Sequence, residues 1–408
     1  MKTLHKRCAG LDVHKKEVVA CLRLVNRGKV SYEVRRFPTT TRSLLELADW
    51  LEQAGCTHVA MEATGVYWKP VWHMLEGRFQ QILANAAHIK GVPGRKSDMN
   101  DATWIADLLA HGLVRSSFVP PQPIQELRDL TRTRKQLTRE IVQHTQRIQA
   151  VLEEANVKLS SVITDIMGLS GRRILHAIVA GETDPARLSE LGGSRLAATR
   201  AELAEALDGR IRSHHRFLIG QHLKTIQQLE ETIAAFDARI EAALEPFRDA
   251  LERLKEVPGL SETSAQILLA EIGTDMRQFP TAGHLLSWAG LIPRLDESAG
   301  KRRSTRVRKG APWLKPVLVQ GAWAASRKKN SYFQAQFLRL KARCGPKKAA
   351  VAVAASILTT AYHILADGTC YQDLGADHFA RRDPARAAAK LADRIRNLGF
   401  NVEIRPAA

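Results

Sequence analysis

The chain reads as a mixed α/β unit at its N-terminus followed by a mainly helical remainder. Three observations predict this. Between residues 7 and 111, short β-rich runs alternate with amphipathic helical ones. After Pro120-Pro121-Gln122-Pro123 the pattern changes to long stretches with apolar residues at helical spacing. A second break, Val257-Pro258-Gly259-Leu260, then opens a further set of shorter helices.

Cys8–Val13 reads as a buried strand, and Val18–Val25 and Val30–Phe37 as two more joined by a hairpin turn at Asn26-Arg27-Gly28. Thr41–Ala54 carries Leu44, Leu45, Ala48 and Leu51 at helical spacing. Cys56–Met61 is a short buried strand, Lys69–Arg78 a helix, Gln80–Asn85 another strand. Ser97–His111 is a helix with Ser97 as N-cap and Gly112 as its stop. An antiparallel start and a parallel continuation in this order is the order of an RNase H-like sheet.

Residues 124–157 and 216–255 read as two long helices, able to pair as an antiparallel hairpin or to dimerise as a coiled coil. The region between them, 158–215, is polar, helical in character and uninformative about chemistry. The turn at 257–260 before helix Ser261–Ile272 is either half of a helix-hairpin-helix, offering N–H groups to a phosphate, or a plain loop. Further helices are expected at Ala282–Ala289, near 311–326, near 346–365 and at Pro384–Leu398, with a strand-like Asn401–Arg405 at the end. The expected domains are 1–119, 120–256, 257–366 and a tail, 367–408. A length of 408 residues accommodates two or three of them.

Lys and Arg number 61 against 42 Asp and Glu, a formal charge of +19. Such a charge opposes compaction unless an anionic partner neutralises it, and nucleic acid is the commonest partner. The apolar segment Ala349–Leu365 is interrupted by Thr359, Thr360 and His363 and reads as a buried helix rather than a membrane span. The start, MKTLHKRCAGLDVHKK, lacks an apolar core of signal-peptide length. A cytoplasmic, nucleoid-associated protein without a membrane partner is expected. The five cysteines are scattered without zinc spacing and read as small buried hydrophobes.

Four carboxylates carry the candidate chemistry. Asp12 sits among apolar residues in the first strand, where an unpaired carboxylate is costly unless it binds a metal. Glu62 ends the strand Val59-Ala60-Met61 in the same manner. Asp98 and Asp101 are three apart in a first helical turn and face one side. In the expected sheet these elements meet at one edge, where four acids would collect two Mg²⁺ ions and no organic cofactor. The simpler alternatives stay open residue by residue: Asp98 and Asp101 as helix-dipole partners, Glu62 as an ordinary strand-end acid. Asp107, two turns from Asp98, reads as solvated or ion-paired.

Residues 290–310 hold the sharpest charge cluster, with Lys301, Arg302, Arg303, Arg306, Arg308 and Lys309 suited to phosphates. Ser298, before Ala299-Gly300, could attack phosphorus with guanidinium groups stabilising the developing charge. Spacing alone favours a solvated phosphate-binding loop, and Ser304 is an equal candidate. Tyr332 and Tyr362 lack an Arg/His/Arg set and read as packing residues rather than as a tyrosine recombinase's nucleophile.

GLDVHKK, MEATGVYW, KSDMNDATWIADLLAHG, VPGLSETSAQILLAEIG and GLIPRLDESAGKRR, taken together over residues 7–365, resemble the DEDD transposases of the insertion-sequence one-ten class. The tail LADRIRNLGFNVEIRP is similar to endings in that class. The resemblance implies a RuvC-like N-terminal domain, a coiled-coil linker and a C-terminal transposase domain. It places Asp12, Glu62, Asp98 and Asp101 at the DEDD positions. It makes Ser298 the nucleophile, ahead of Ser304, with S-A-G in place of the commoner S-S-G or S-T-G. The implied protein is a site-specific recombinase guided by a bridge RNA, acting on donor and target DNA. It would be a homo-oligomer, dimer or tetramer, whose composite site draws carboxylates and serine from different protomers. The rival enzyme is a RuvC-like metal-dependent structure-specific endonuclease acting hydrolytically. The rival without catalysis is a nucleic-acid-binding scaffold.

Overall fold

Three antiparallel strands open the chain: β1 (Arg7–Val13), β2 (Glu17–Asn26) and β3 (Lys29–Pro38). The computed structural model describes residues 3–63, 65–85, 89, 101–293, 296–304, 306–308 and 310–405, with Asp296, Ser298, Arg302 and Arg303 described by backbone alone. Asn26 pairs with Lys29, so the hairpin turn is the two residues Arg27-Gly28, both at positive φ (47° and 80°). That geometry matches the twist of the flanking strands. After α1 (Thr41–Gln53), β4 (His58–Glu62) runs parallel to β1. After α2 (Trp68–Leu75), β5 (Gln80–Ala84) runs parallel to β4. Helix α3 (Asp101–Ala110) follows. The sheet order is β3-β2-β1-β4-β5, a mixed α/β architecture as the sequence predicts.

Alternation along β1 sorts its side chains. Ala9, Leu11 and Val13 join Leu44, Leu47 and Leu51 of α1 in one core. The opposite face carries Cys8, Gly10 and Asp12. There α3 packs on β1 and β2, with Ala102 and Ala106 against Val19 and Cys21. A Cβ on Gly10 would lie 2.2 Å from the Ala102 carbonyl oxygen and 2.4 Å from the Ala106 nitrogen. Only glycine lets the helix approach this closely. Residues Met1–Val119 form this first unit and Pro120–Ala408 the second.

The second unit is helical around two long elements, α4 (Gln122–Glu154) and, after four short helices, α9 (Ser213–Leu244). The pair runs antiparallel within one chain. Arg134 Nη1 donates to Asp237 Oδ1 at 2.7 Å, and nearer the other end His144 meets His222. Pro123 lies in the first turn of α4, not in the linker, because its missing N–H costs nothing there.

The expected helix 216–255 is broken. Pro246 ends α9, a short 3₁₀ turn intervenes, and α10 spans Arg248–Lys255. Residues 158–215 are helical as expected, and beneath their polar surface they contribute to a core. The short helices α5 (Leu159–Val162), α6 (Leu169–Ala180), α7 (Pro185–Glu190) and α8 (Arg200–Leu207) bury Leu159, Ile174, Leu175, Ile178, Leu188 and Leu203 in one core with Ile148 and Ile219.

Gly259, at φ 90°, packs on Gly321, whose carbonyl oxygen would lie 2.1 Å from an added Cβ. The 257–260 turn therefore serves close helix packing. Next come α11 (Glu262–Ile272), α12 (Ala282–Ala289), a two-stranded hairpin β6 (Asp296–Ser298) and β7 (Lys301–Ser304), and α13 (Leu314–Ala325). A helix the sequence reading passed over, α14 (Tyr332–Cys344), starts on Ser331, whose hydroxyl accepts the Gln334 N–H. In α15 (Pro346–Asp367), Ala349, Val353, Ala354, Ile357, Ala361 and Ile364 are buried, and the helix packs on α12, α13 and α14. By length and composition it could cross a membrane. Its packed face is that of a core helix. The tail holds α16 (His378–Arg382) and α17 (Pro384–Arg396), and residues 401–405 form no strand.

A buried ion network docks α4 on α11. Glu271 is 1% exposed and accepts from Arg132 at 2.7 and 2.9 Å. Arg128 reaches its backbone oxygen at 2.6 Å. Burial pulls the Arg128 guanidinium down to about 10. Removing one partner from such a network costs about 3–5 kcal/mol, since the other charge stays buried.

Candidate nucleic-acid-processing site

The acidic edge follows from register. Leu11 pairs with Met61 in the parallel β1–β4 ladder, so Asp12 and Glu62 are the next residues on adjacent strands. Both alternate onto the face of Gly10 and Ala60, where α3 lies. The direction of α3 is fixed at both ends. Its last residue, Ala110, accepts the Leu4 N–H at 2.8 Å, before the start of β1, while Ala102 sits over Gly10. Asp101, its first residue, therefore enters at the end of β1 that carries Asp12. The structure brings Asp12, Glu62 and Asp101 to one face at one end of the sheet. Asp98 lies outside the described residues.

The Asp12 side chain is 17% exposed, and its Oδ2 lies 3.1 Å from His14 Nε2. A cleft lined by His14, Lys15, Lys16, Glu17 and Arg36 flanks this edge. Carboxylates sharing one face beside lysines suit a hard divalent cation and an anionic substrate together. This is the donor set that could hold a metal.

Asp107 is ion-paired. Its Oδ1 accepts from Arg23 Nε and from Tyr32 Oη, both at 2.8 Å. Arg23 and Tyr32 are cross-strand partners on β2 and β3, and Arg23 is 3% exposed. The triad locks α3 across two strands. The ion-paired alternative for Asp107 holds, but its partners Arg23 and Tyr32 and the Gly10 contact were not anticipated from sequence. An isolated glycine inside an apolar strand is the signal that could have found the latter.

The basic segment is a hairpin, not a featureless loop. Ser298 pairs with Lys301, and the turn Ala299-Gly300 has φ of 50° and 73°, the same two-residue geometry as Arg27-Gly28. Ser298 thus stands in the residue before the turn. Lys301 and the backbones of Arg302 and Arg303 follow on β7; Arg306 and Arg308 are exposed beyond it. Lys309 lies outside the described residues. Ser304 is engaged locally, its Oγ accepting the Arg306 N–H at 3.2 Å.

The hairpin's neck is firm. A Cβ on Gly310 would lie 2.0 Å from the Ala289 carbonyl oxygen and 2.5 Å from Gly290 Cα. Lys315 Nζ donates to the Gly290 and Arg308 oxygens at 3.0 Å each, and burial lowers its ammonium pKa. Lys315, too, was missed by sequence reasoning.

Among the described residues, the cluster whose ligand atoms all lie within 4.8 Å of one another is elsewhere: Glu154, His214 and His215. His215 Nδ1 accepts the Arg212 N–H at 3.2 Å. In the neutral ring that leaves the proton on Nε2, which then has no lone pair for a metal. The cluster reads as a helix-start contact.

Residues 9–157 match the DEDD transposase family model, and residues 251–338 match the model of the IS116/IS110/IS902 transposase family. Together the two cover more than half of the chain. The chain belongs to the IS110 family of transposases. It is similar to a Pseudomonas aeruginosa protein described as a probable family 20 transposase, 27% identical over 78% of this chain and 80% of that one. It is also similar to an insertion element IS110 protein of Streptomyces coelicolor, 28% identical over 69% of this chain and 73% of that one. An IS110 transposase is a DNA-processing enzyme, and the DEDD signature goes with divalent-metal use.

Proposed function

We propose that this IS110 transposase cuts and rejoins DNA strands using Asp12, Glu62, Asp98 and Asp101 as an Mg²⁺-binding group and Ser298 as nucleophile. The observation that carries the reading is the shared edge. Asp12 and Glu62 are neighbours on parallel strands, and Asp101 enters over the same face at the same end. Strand order β3-β2-β1-β4-β5, with only β1–β2–β3 antiparallel, supports an RNase H/RuvC-like sheet for residues 1–119. Residues 120–256 are read as a helical dimerisation region; because the α4–α9 pair is made within one chain, dimerisation would use residues that the pair leaves exposed, such as Val142 and Phe217. Residues 257–366 then act as the transposase domain, with 367–408 as its tail.

A bound divalent ion supplies Lewis-acid stabilisation of charge on phosphodiester oxygens. The protein's own part is to hold and attack. Ser298 Oγ bonds to phosphorus and gives up its proton, and the bond to one deoxyribose oxygen breaks as that oxygen is protonated. A second strand's hydroxyl then displaces the serine. The phosphodiester bond energy is kept, so no ATP is needed. Lys301, Arg302, Arg303, Arg306, Arg308 and Lys309 bind the phosphates around it. A structured guide RNA is the second client of the +19 charge, and the enzyme works as a dimer or tetramer.

The test uses purified chain, the transcript flanking its gene and plasmids carrying the element's ends. Asp12→Asn is expected to lower strand transfer by about 10³-fold, the loss of several kcal/mol of charge stabilisation. Ser298→Ala is expected to abolish both transfer and a denaturant-resistant protein–DNA adduct. Full cleavage by Ser298→Ala without an adduct would establish instead the hydrolytic endonuclease. Unchanged transfer with the transcript omitted and RNA digested would remove guidance.

A further inference from the structure

We propose that the cleft between α14 and the C-terminal tail grips the phosphate backbone of a nucleic-acid strand, as a contact separate from the basic hairpin. The idea rests on the DNA-processing reading above. The cleft, of 830 Å³, takes Arg339 and Arg343 from α14 and Arg386 and Lys390 from α17, with Phe379 and Asp383 between them. Four cations thus face a single carboxylate. That carboxylate is engaged, since Asp383 Oδ1 accepts the Arg386 N–H at 3.1 Å and caps α17.

Other arginines of the tail are matched: Arg381 pairs with Asp377 at 2.9 Å and Arg396 with Asp393 at 2.8 Å. Among the described residues, none of the four cleft cations has such a partner. Like charges gathered without a counter-charge make a local positive potential that an anion relieves. The cleft is also partly preorganised. The Arg339 guanidinium lies 4.7 Å over the Phe379 ring, and Tyr332 stacks on that ring at 5.4 Å. With Phe379 so engaged, the cleft offers fixed charge rather than a platform for bases. It reads phosphate, not sequence. The phosphate can come from DNA substrate or from RNA, and the experiment separates them.

The test is a triple substitution in the full chain, Arg343→Gln with Arg386→Gln and Lys390→Gln. All three side chains are exposed, so the melting temperature should not move; Arg339 is kept because it holds Phe379. Binding is measured against fluorescent single-stranded RNA, single-stranded DNA and duplex DNA over a salt series. The slope of log K against log salt should fall by about 2 on single strands and nearer 3 on duplex, three contacts at about 0.7 and 0.9 each. A loss confined to RNA assigns the cleft to a guide strand, and one confined to DNA assigns it to substrate. Unchanged slopes on all three probes overturn the cleft. A triple variant with unchanged slopes beside a strand-transferring wild type sinks the cleft alone. A reduced slope in a chain that never transfers strands sinks only the catalytic reading.

Discussion

Asp12 is held by its pairing with Val19, one residue past the last pair of the β1–β4 ladder, and by a helix laid against the same face, whereas Ser298 stands beside a two-residue turn, with the firm contacts of its hairpin back at the neck. The carboxylate edge is a product of packing. Gly10 admits α3, the Arg23–Asp107–Tyr32 triad locks it, and Asp101 is thereby carried to Asp12 and Glu62. The hairpin is a product of turn chemistry. Its strands, Asp-Glu-Ser and Lys-Arg-Arg-Ser, have no apolar face to bury. A metal-holding group needs oxygen atoms fixed to a fraction of an ångström. An attacking group gains from a tether that can deliver it. The roles proposed for the two regions would match those different demands.

The largest way to break this contrast is Gly10→Val. Its side chain would run into the Ala102 and Ala106 backbone, and overpacking of this kind costs about 3 kcal/mol. Urea unfolding followed by circular dichroism should show the first unit losing stability, with strand transfer lost at temperatures where wild type works. A normal midpoint for Gly10→Val would mean that α3 is not seated by this contact. Nothing at Ala299 should behave comparably: Ala299→Gly relieves a left-handed backbone and should leave stability within about 1 kcal/mol, on the favourable side.

Lys315→Met sharpens the hairpin half. It removes two hydrogen bonds from a partly buried ammonium, about 1.5–3 kcal/mol for charged donors. That loss falls at the neck, so it should loosen the hairpin more than the whole unit. The expected result is a drop in strand transfer of about 10-fold or more, with a global melting shift of a few degrees at most and unaltered binding to RNA. Equal loss of binding and transfer would show that Lys315 contributes to the fold generally.

How much of this was legible in the sequence follows the same division. Helix α1 was readable because it has one buried face, β1, β2 and β4 because they are short runs of buried apolar residues, and β3 through its alternation after the hairpin turn, although Phe37 is its one buried residue. Asp12 stood out because Leu11 and Val13 beside it are fully buried. Gly10 was equally visible and went unread, because its meaning lies in Ala102, ninety residues on. The core under residues 158–215 was illegible for a related reason. Helices of four to twelve residues each contribute a few apolar side chains, and the period is too short to register. Pro246 was overlooked inside an otherwise good helical stripe. The polar strands β6 and β7 have no hydrophobic alternation at all, so Ser298 could be singled out only by family resemblance.

The smallest effect separates the two units chemically. Cys8, Cys21 and Cys56 are buried in the first unit, while in the second Cys344 is half-buried and Cys370 exposed. Burial pushes the Cys8 and Cys56 thiols up to about 12 and raises Cys21 as well. The reactive form is the thiolate, so at pH 8 the native Cys8 and Cys56 hold only about one part in 10⁴ of it. Unfolding restores an ordinary thiol value near 8.5 and with it full reactivity. A disulfide-exchange reagent at pH 8 should therefore label Cys344 and Cys370 promptly and the other three only as the first unit opens, without any change in stability at the start of labelling. In Gly10→Val the three slow thiols should become fast while Cys344 and Cys370 keep their rates. Acceleration at all five positions would mean that the two units do not open separately, and would tie the acidic edge to the helical remainder more tightly than their division into two units suggests.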